Sequence, residues 1–307
     1  MNILLTGINS FIGCNLGRYL ADCGHNVYGT VRNLTKVPSQ AKWLKKNFIY
    51  ELGGPPETFM FNDIDVVVHL IHDFRSGKMN VNIQGTQALY LTAKNSGVQY
   101  QIFISSYSAQ KEAISEYGKT KYALELFFRK EQGIIIRPGL VLGNGGLFRR
   151  MVKLVQNFPV LPIPDGGKGR VPIIDIHTLC KSIVMIIASK LHENKEFNLF
   201  HNELISLKYL LQQIRHITKR KMIFINLPSG LLLLPLVFFK KIGIKLPISS
   251  DNLKGYIVNK DGGCFSNLKE VFCDVPSLNY MIQTAISDIT GTTKNKDSDY
   301  FYLPPLF

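Results

Sequence analysis

Tyr117 and Lys121 stand four residues apart, a spacing that puts both on one face of a helix. A tyrosine with a reference pKa of about 10 is a poor proton carrier at neutral pH, and a lysine ammonium beside it favours the phenolate. Upstream, an apolar run ends in Ser105-Ser106-Tyr107-Ser108. If that run is a buried strand, its serines lie at the C-terminal edge, where open α/β sheets bind ligands and where a hydroxyl can hold a substrate oxygen. Tyrosine and lysine at this spacing are common by chance, so the pair gains meaning only from its surroundings.

The first of those surroundings is the N-terminal Thr6-Gly7-Ile8-Asn9-Ser10-Phe11-Ile12-Gly13, which lies between a short apolar strand and a helical segment. Glycines there allow a tight turn and let backbone N–H groups approach a pyrophosphate at the helix N-terminus. Gly7, Ser10, Phe11, Ile12 and Gly13 are therefore candidate cofactor contacts. Ser10 occupies the place of a second glycine; it fits if its φ is negative, and its hydroxyl is then available to a phosphate. Folds of this kind that prefer NAD carry an acid about 20 residues beyond the turn. Here the second strand ends Tyr28-Gly29-Thr30-Val31-Arg32 with no acid, and Arg32 is suited to a 2′-phosphate. That favours NADP, with NAD as the other option and a solvated arginine as the plainer explanation of Arg32.

Positioning these groups requires alternating strands and helices. Residues 2–5, 26–31, 66–70, 101–105 and 134–137 read as strands, and 11–23, 81–95 and 117–130 as helices. Strands rich in β-branched residues, separated by helices, predict a doubly wound parallel sheet. After Pro138 the pattern changes to glycine loops at 143–146 and 165–169 and a cluster of prolines. The expected division is a dinucleotide-binding domain over 1–160 and a smaller α/β substrate lobe over 161–307, with segments free to cross back into the sheet.

The 307 residues carry 36 Lys+Arg against 22 Asp+Glu, a net charge of +14. Such a balance points to an anionic partner. Nucleic acid is not expected, because no recognition module or interleaved stacking aromatics accompany the charge. Between Arg215 and Lys254 lie eight basic residues and one acid, Asp251. This is read as a solvated face, with a membrane-surface patch and the steering of charged ligands as alternatives. Residues 222–239 carry no charge and are flanked by Lys219-Arg220-Lys221 and Lys240-Lys241. Pro228, Gly230 and Pro235 interrupt them, so a buried strand at 223–227 and a buried helix at 231–239 are expected, ahead of a helix lying on a membrane or a span. Cys14, Cys23, Cys180, Cys264 and Cys273 are scattered, with no zinc-ligand spacing. No metal is expected, and the thiols suit a reducing cytoplasm. The start of the chain does not resemble a signal peptide.

Together these residues resemble the extended short-chain dehydrogenase/reductases, the NAD(P)-dependent nucleotide-sugar epimerase/dehydratase family, over nearly the whole chain. Thr6 to Gly13 is similar to the family's T-G-x-x-G-x-x-G turn, and Asp65-Val66-Val67-Val68-His69-Leu70 to its D-x-V-x-H-L-A strand. Asn82-Ile83-Gln84-Gly85-Thr86, Ser105-Ser106, the Tyr117/Lys121 pair and Arg137-Pro138 follow in the family's order, as do Phe197-Asn198-Leu199 and Ile205-Ser206-Leu207. The resemblance implies a Rossmann sheet. It makes Tyr117 the acid/base, Lys121 its tuner and ribose contact, and Ser106 the hydrogen-bond partner of the reacting oxygen. It further implies Leu70 at the cofactor, Ser108 at the sugar and Arg170 at the substrate diphosphate. The implied partner is a nucleotide-activated sugar of polysaccharide biosynthesis, and a homodimer is an allowed assembly. Because the second strand lacks an acid, a keto-sugar reductase is expected first. An NAD-dependent epimerase, acting even on a lipid-linked sugar, comes second, and a non-catalytic dinucleotide-binding scaffold third. Ser10, and Ile71-His72 in place of small residues, depart from the family pattern. The reaction is placed in the cytoplasm, with its inner membrane face as an alternative.

Overall fold

A computed structural model describes residues 1–33, 42–188, 196–241, 248–259 and 265–291. The first half runs β1 (Asn2–Thr6), α1 (Phe11–Asp22), β2 (Asn26–Val31), β3 (Leu44–Ile49), β4 (Val66–His69), α2 (Met79–Asn95), β5 (Tyr100–Ile104), α3 (Glu116–Lys130) and β6 (Ile134–Pro138). The second half runs β7 (Leu140–Leu142), α4 (Gly146–Asn157), β8 (Val160–Pro164), β9 (Arg170–Val171), β10 (Ile173–Asp175), α5 (Ile176–Ala188), β11 (Glu196–Leu199), β12 (Ile205–Ser206), α6 (Leu207–Ile217), β13 (Ile223–Leu227), α7 (Ser229–Lys241), α8 (Ser250–Asn259), α9 (Leu268–Val271) and α10 (Leu278–Thr290).

Seven strands form one parallel sheet in the order β11-β6-β5-β4-β1-β2-β3. Its central strands are apolar at nearly every position because both faces are covered. Successive side chains alternate between two cores. Ile3, Leu5, Val66, Val68, Ile102 and Ile104 pack with α1 and α5 on one side, while Leu4 and Val67 lie on the other. Phe103 and Ile135 join Leu124 and Phe128 of α3 there. The doubly wound parallel sheet is therefore as expected. The order reverses between β1 and β4, so ligands are expected outside the C-terminal ends of those strands.

A second core joins α4, α6 and α10 to short paired strands, β10 with β7, β12 with β9, and β13 with β8. The chain does not stay in this lobe. β11 returns to pair with β6, and α9 packs beside it through Asn267, whose side chain accepts from the Asn198 N–H at 3.0 Å.

Two local expectations fail. The strand β3 has no counterpart in the sequence reading, because Lys45 and Lys46 interrupt its apolar pattern at the sheet edge. The expected burial of 223–227 and 231–239 is also overturned. The strand and helix form, but Ile223 is 66% exposed and Leu234 69% exposed, because no described element covers their outer sides.

Candidate functional site

The glycine-bearing turn leaves β1 with Gly7 at φ +76°, a left-handed conformation that glycine adopts without strain. Gly13 allows the closest approach: a Cβ there would sit 2.6 Å from the Gly7 carbonyl oxygen. Ser10 has φ −73°, as its fit requires, and its side chain caps α1 by accepting from the Gly13 N–H. The oxygen thus serves as a cap by accepting, and its O–H is still available to donate to a phosphate. The N–H groups of Phe11 and Ile12 remain as open donors at the start of α1, as an anion site requires. Thr6 Oγ1 accepts from the Leu70 and Ile71 N–H groups at 3.0 and 3.3 Å, tying the end of β4 to this turn.

Tyr117, Lys121 and Ser106 converge at the end of β5. Ser115 caps α3 through the Gly118 N–H, so the helix begins just before Tyr117. Lys121, 4% exposed, donates from Nζ to the Ile104 carbonyl at 2.7 Å, and its ammonium lies 5.9 Å from the Tyr117 ring centroid. Ser106 shares a hydrogen bond with the Tyr117 phenol. Burial lowers Lys121 to about 7, with Glu125 opposing. Burial also raises Tyr117, against the Ser106 hydrogen bond. The simple expectation that Lys121 favours the phenolate is therefore not met by the protein alone. Both groups are desolvated, and desolvation disfavours the charged form of each.

Phe74 and Glu125 carry no mark in the sequence pattern, and His72, Asn82 and Arg137, which do, take no role from it. His72 meets the Tyr117 ring edge-on at 5.0 Å, and Phe74, 80% exposed, stacks on it at 5.7 Å. Burial and the nearby Lys121 hold His72 down to about 3, so it stays neutral and packs as a ring. Asn82 fastens this loop: its Oδ1 accepts from the Asp73 N–H at 2.7 Å and its Nδ2 donates to the Asp73 carbonyl at 2.9 Å. Glu125, 1% exposed, lies one turn beyond Lys121 and accepts from Ser105 Oγ at 2.6 Å. Arg137 holds the same carboxylate with two N–H groups, at 2.6 and 2.7 Å. Tyr117, Lys121 and Glu125, at i, i+4 and i+8, thus engage Ser106, Ile104 and Ser105 at the strand end.

Arg32 lies exposed just past β2, and its charge bears on Asp73. Asp73 is gripped by Arg75 and held down to about 2, and Glu51 stands 3.6 Å from the same arginine. Arg75, not Arg32, is the main partner of Asp73, and Arg32 adds only a weaker lowering of the same carboxyl. Ser108 and Arg170 are brought to one helix, α8. Asn259 Nδ2 donates to Ser108 Oγ at 3.3 Å, and the Tyr256 hydroxyl accepts from the N–H of Gly169, beside Arg170, at 2.9 Å. Arg170 itself is exposed. Among the described residues no His/Cys/Asp/Glu group could hold a metal, and no helix is long and apolar enough to cross a membrane.

Residues 3–199 match the NAD dependent epimerase/dehydratase family. The chain belongs to that family. No curated protein matches this member in sequence. Its fold is similar to the UDP-glucuronic acid 4-epimerase from Bacillus cereus, solved with UDP-glucuronic acid and NAD. The TM-score there is 0.69 at 18% identity, covering 95% of this chain and 100% of that one. A UDP-glucose 4-epimerase from Thermotoga maritima gives 0.67 at 17% identity, with 95% and 99% coverage. A UDP-N-acetylglucosamine 4-epimerase from Methanobrevibacter ruminantium M1 gives 0.69 at 15% identity, with 95% and 98% coverage.

Proposed function

We propose that this family member is a nucleotide-sugar epimerase, oxidising a sugar carbinol and reducing it again from the other side. The carrying observation is the convergence of Tyr117, Lys121 and Ser106 at the end of β5. The 4-epimerases among the fold neighbours support the choice of reaction. The residues also suit a dinucleotide: Gly7 and Gly13 let the turn pack tightly against its own backbone and Ile71, and the Phe11 and Ile12 N–H groups are open to a pyrophosphate. A bound nicotinamide supplies the hydride acceptor and donor.

The chain's own groups do the rest. Tyr117 would act as the phenolate, its own proton having left to solvent once a cationic nicotinamide and the Lys121 charge stand beside it. Its Oη then takes the hydroxyl proton as the carbinol carbon loses hydride, and returns it when the hydride comes back. Ser106 holds the same oxygen, and Lys121 places its charge beside the phenol. Hydride and proton leave and return in equal number, so no cofactor is consumed. Ser108 and Arg170 are placed at the sugar and the diphosphate, on the α8 side. We place the reaction in the cytoplasm, where Cys14, Cys23, Cys180 and Cys273 remain free thiols.

A second reading, a keto-sugar reductase using NADPH, is favoured by Arg32 and by the missing acid after β2. The two separate in one incubation of the purified protein with a panel of nucleotide sugars, products read by NMR. An epimerase interconverts two of them without net change at 340 nm; a reductase consumes NADPH. Tyr117→Phe abolishes either reaction by about 10²–10⁴-fold. Unchanged turnover in that variant removes Tyr117 from the chemistry. The scaffold reading instead requires no turnover on the whole panel and a biological effect that Tyr117→Phe leaves intact. In thermal shift, the epimerase reading expects NAD(H) to give a shift at least equal to that of NADP(H), as the NAD bound in the Bacillus cereus 4-epimerase suggests. A clearly larger NADPH shift restores the reductase reading.

A further inference from the structure

The unit formed by β8, β13 and α7 has an outer surface that none of the other described elements covers. β13 turns Phe224 towards the second core, while Ile223 and Ile225 point outward at 66% and 45% exposure. In register beside them on β8 stand Val160, 40% exposed, and the exposed Pro162. A two-stranded sheet with both faces apolar is therefore covered on one face only. α7 carries apolar residues all round, the composition of a helix buried in a core or in lipid. None of its described side chains is buried. Leu231, Leu234 and Phe238, at i, i+3 and i+7, form a stripe with exposures of 57%, 69% and 59%. Exposed apolar side chains gathered on one element in this way mark sites of protein or membrane contact.

Charge selects the partner. Lys219, Arg220 and Lys221 are exposed at the entry to β13, and Lys240-Lys241 end α7. No acid lies between residues 215 and 250. Apolar side chains between clusters of cations match the layering of an anionic bilayer, where acyl chains lie beneath phosphate headgroups. A second copy of this chain fits less well, since a two-fold contact would bring cationic clusters of one sign together. We propose that the outer face of β13 and the 231/234/238 stripe of α7 form a docking surface for an anionic lipid bilayer. α7 packs on α8, so the docked surface lies one helix away from Ser108 and Gly169. The cleft would then open beside the headgroups. Docking does not depend on which sugar reaction the cleft performs.

The test is co-sedimentation of the full chain with vesicles of phosphatidylcholine alone or mixed with phosphatidylglycerol, at about 0.05 and 0.5 M salt. The wild type should pellet with the anionic vesicles at low salt. Leu231→Asp/Leu234→Asp and Lys219→Gln/Arg220→Gln/Lys221→Gln should each weaken pelleting by about tenfold. All five side chains changed are exposed or half-buried on the outside, and circular dichroism checks that the fold is kept; the basic triple variant stands alone if the leucine variant unfolds. No pelleting of the wild type overturns the proposal, as does pelleting of the variants at wild-type levels. A concentration-dependent dimer that Leu234→Asp disperses, without vesicle binding, assigns the surface to self-association and also overturns it.

Discussion

Lys121 shows what the site demands of a single residue. Burial brings it from 10.5 to about 7. Between those values the unfolded chain binds a proton that the folded chain has released, so stability rises with pH across that window. Lys121→Met removes this dependence. The melting temperature of the variant minus that of the wild type should be largest below about pH 7 and shrink as pH approaches 10.5. The lost hydrogen bond to Ile104 lowers the variant at every pH and leaves the trend intact. Thermal melts across the range check it, and a difference that widens with pH contradicts the burial account. Asn82 acts on a loop instead of a proton. Asn82→Ala leaves the buried side of the Asp73 N–H without its acceptor, at a cost of about 1–3 kcal/mol. The loop carrying the exposed Phe74 loosens, and chymotrypsin should cut there faster than in the wild type, as mass analysis of the fragments would show.

At the scale of elements, an ion network ties four of them together. Glu125 of α3 meets Ser105 just past β5, Arg137 of β6 and, through Arg137 and Arg129, Glu196 of β11. Glu196 is held down to about 2 by Arg129 and Arg137. Arg137→Met strips a buried carboxylate of its main partner and should cost about 3–5 kcal/mol in urea unfolding. Adding Glu125→Leu should recover part of that loss, because no uncompensated charge remains. A double variant less stable than the single one would refute this. These elements were unequally legible in the sequence. β1, β4, β5 and β6 are apolar at nearly every position because both faces are buried, and that leaves a plain signal. β3 lies at the edge, and its lysines hide it. Tyr117, Lys121 and Ser106 follow from spacing and context. Glu125 continues the same i+4 series, but its worth depends on Arg137 and Glu196, which only the folded sheet brings near. α7 misleads in the opposite direction, since its composition predicts a buried helix and none of its described side chains is buried.

At the scale of the whole molecule, the two lobes proposed for cofactor and substrate share chain. We retain the division at residue 160 as a proposal about function, with ligand contacts sorted to either side. Structurally, α5 and β11 lie beyond that point yet complete the core and edge of the large sheet. The protein should therefore melt in one transition, with calorimetric and van't Hoff enthalpies in agreement. Two resolved transitions would mean that the lobes unfold independently. The same return of β11 to β6 bears on how the chain is made. Roughly sixty residues separate the two strands, and at about 5–20 residues per second a ribosome takes several seconds to deliver the second after the first. Throughout that interval the nascent sheet presents Ile134, Ile135 and Ile136 along an unpaired edge, open to any neighbouring strand until residues 196–199 emerge to close it.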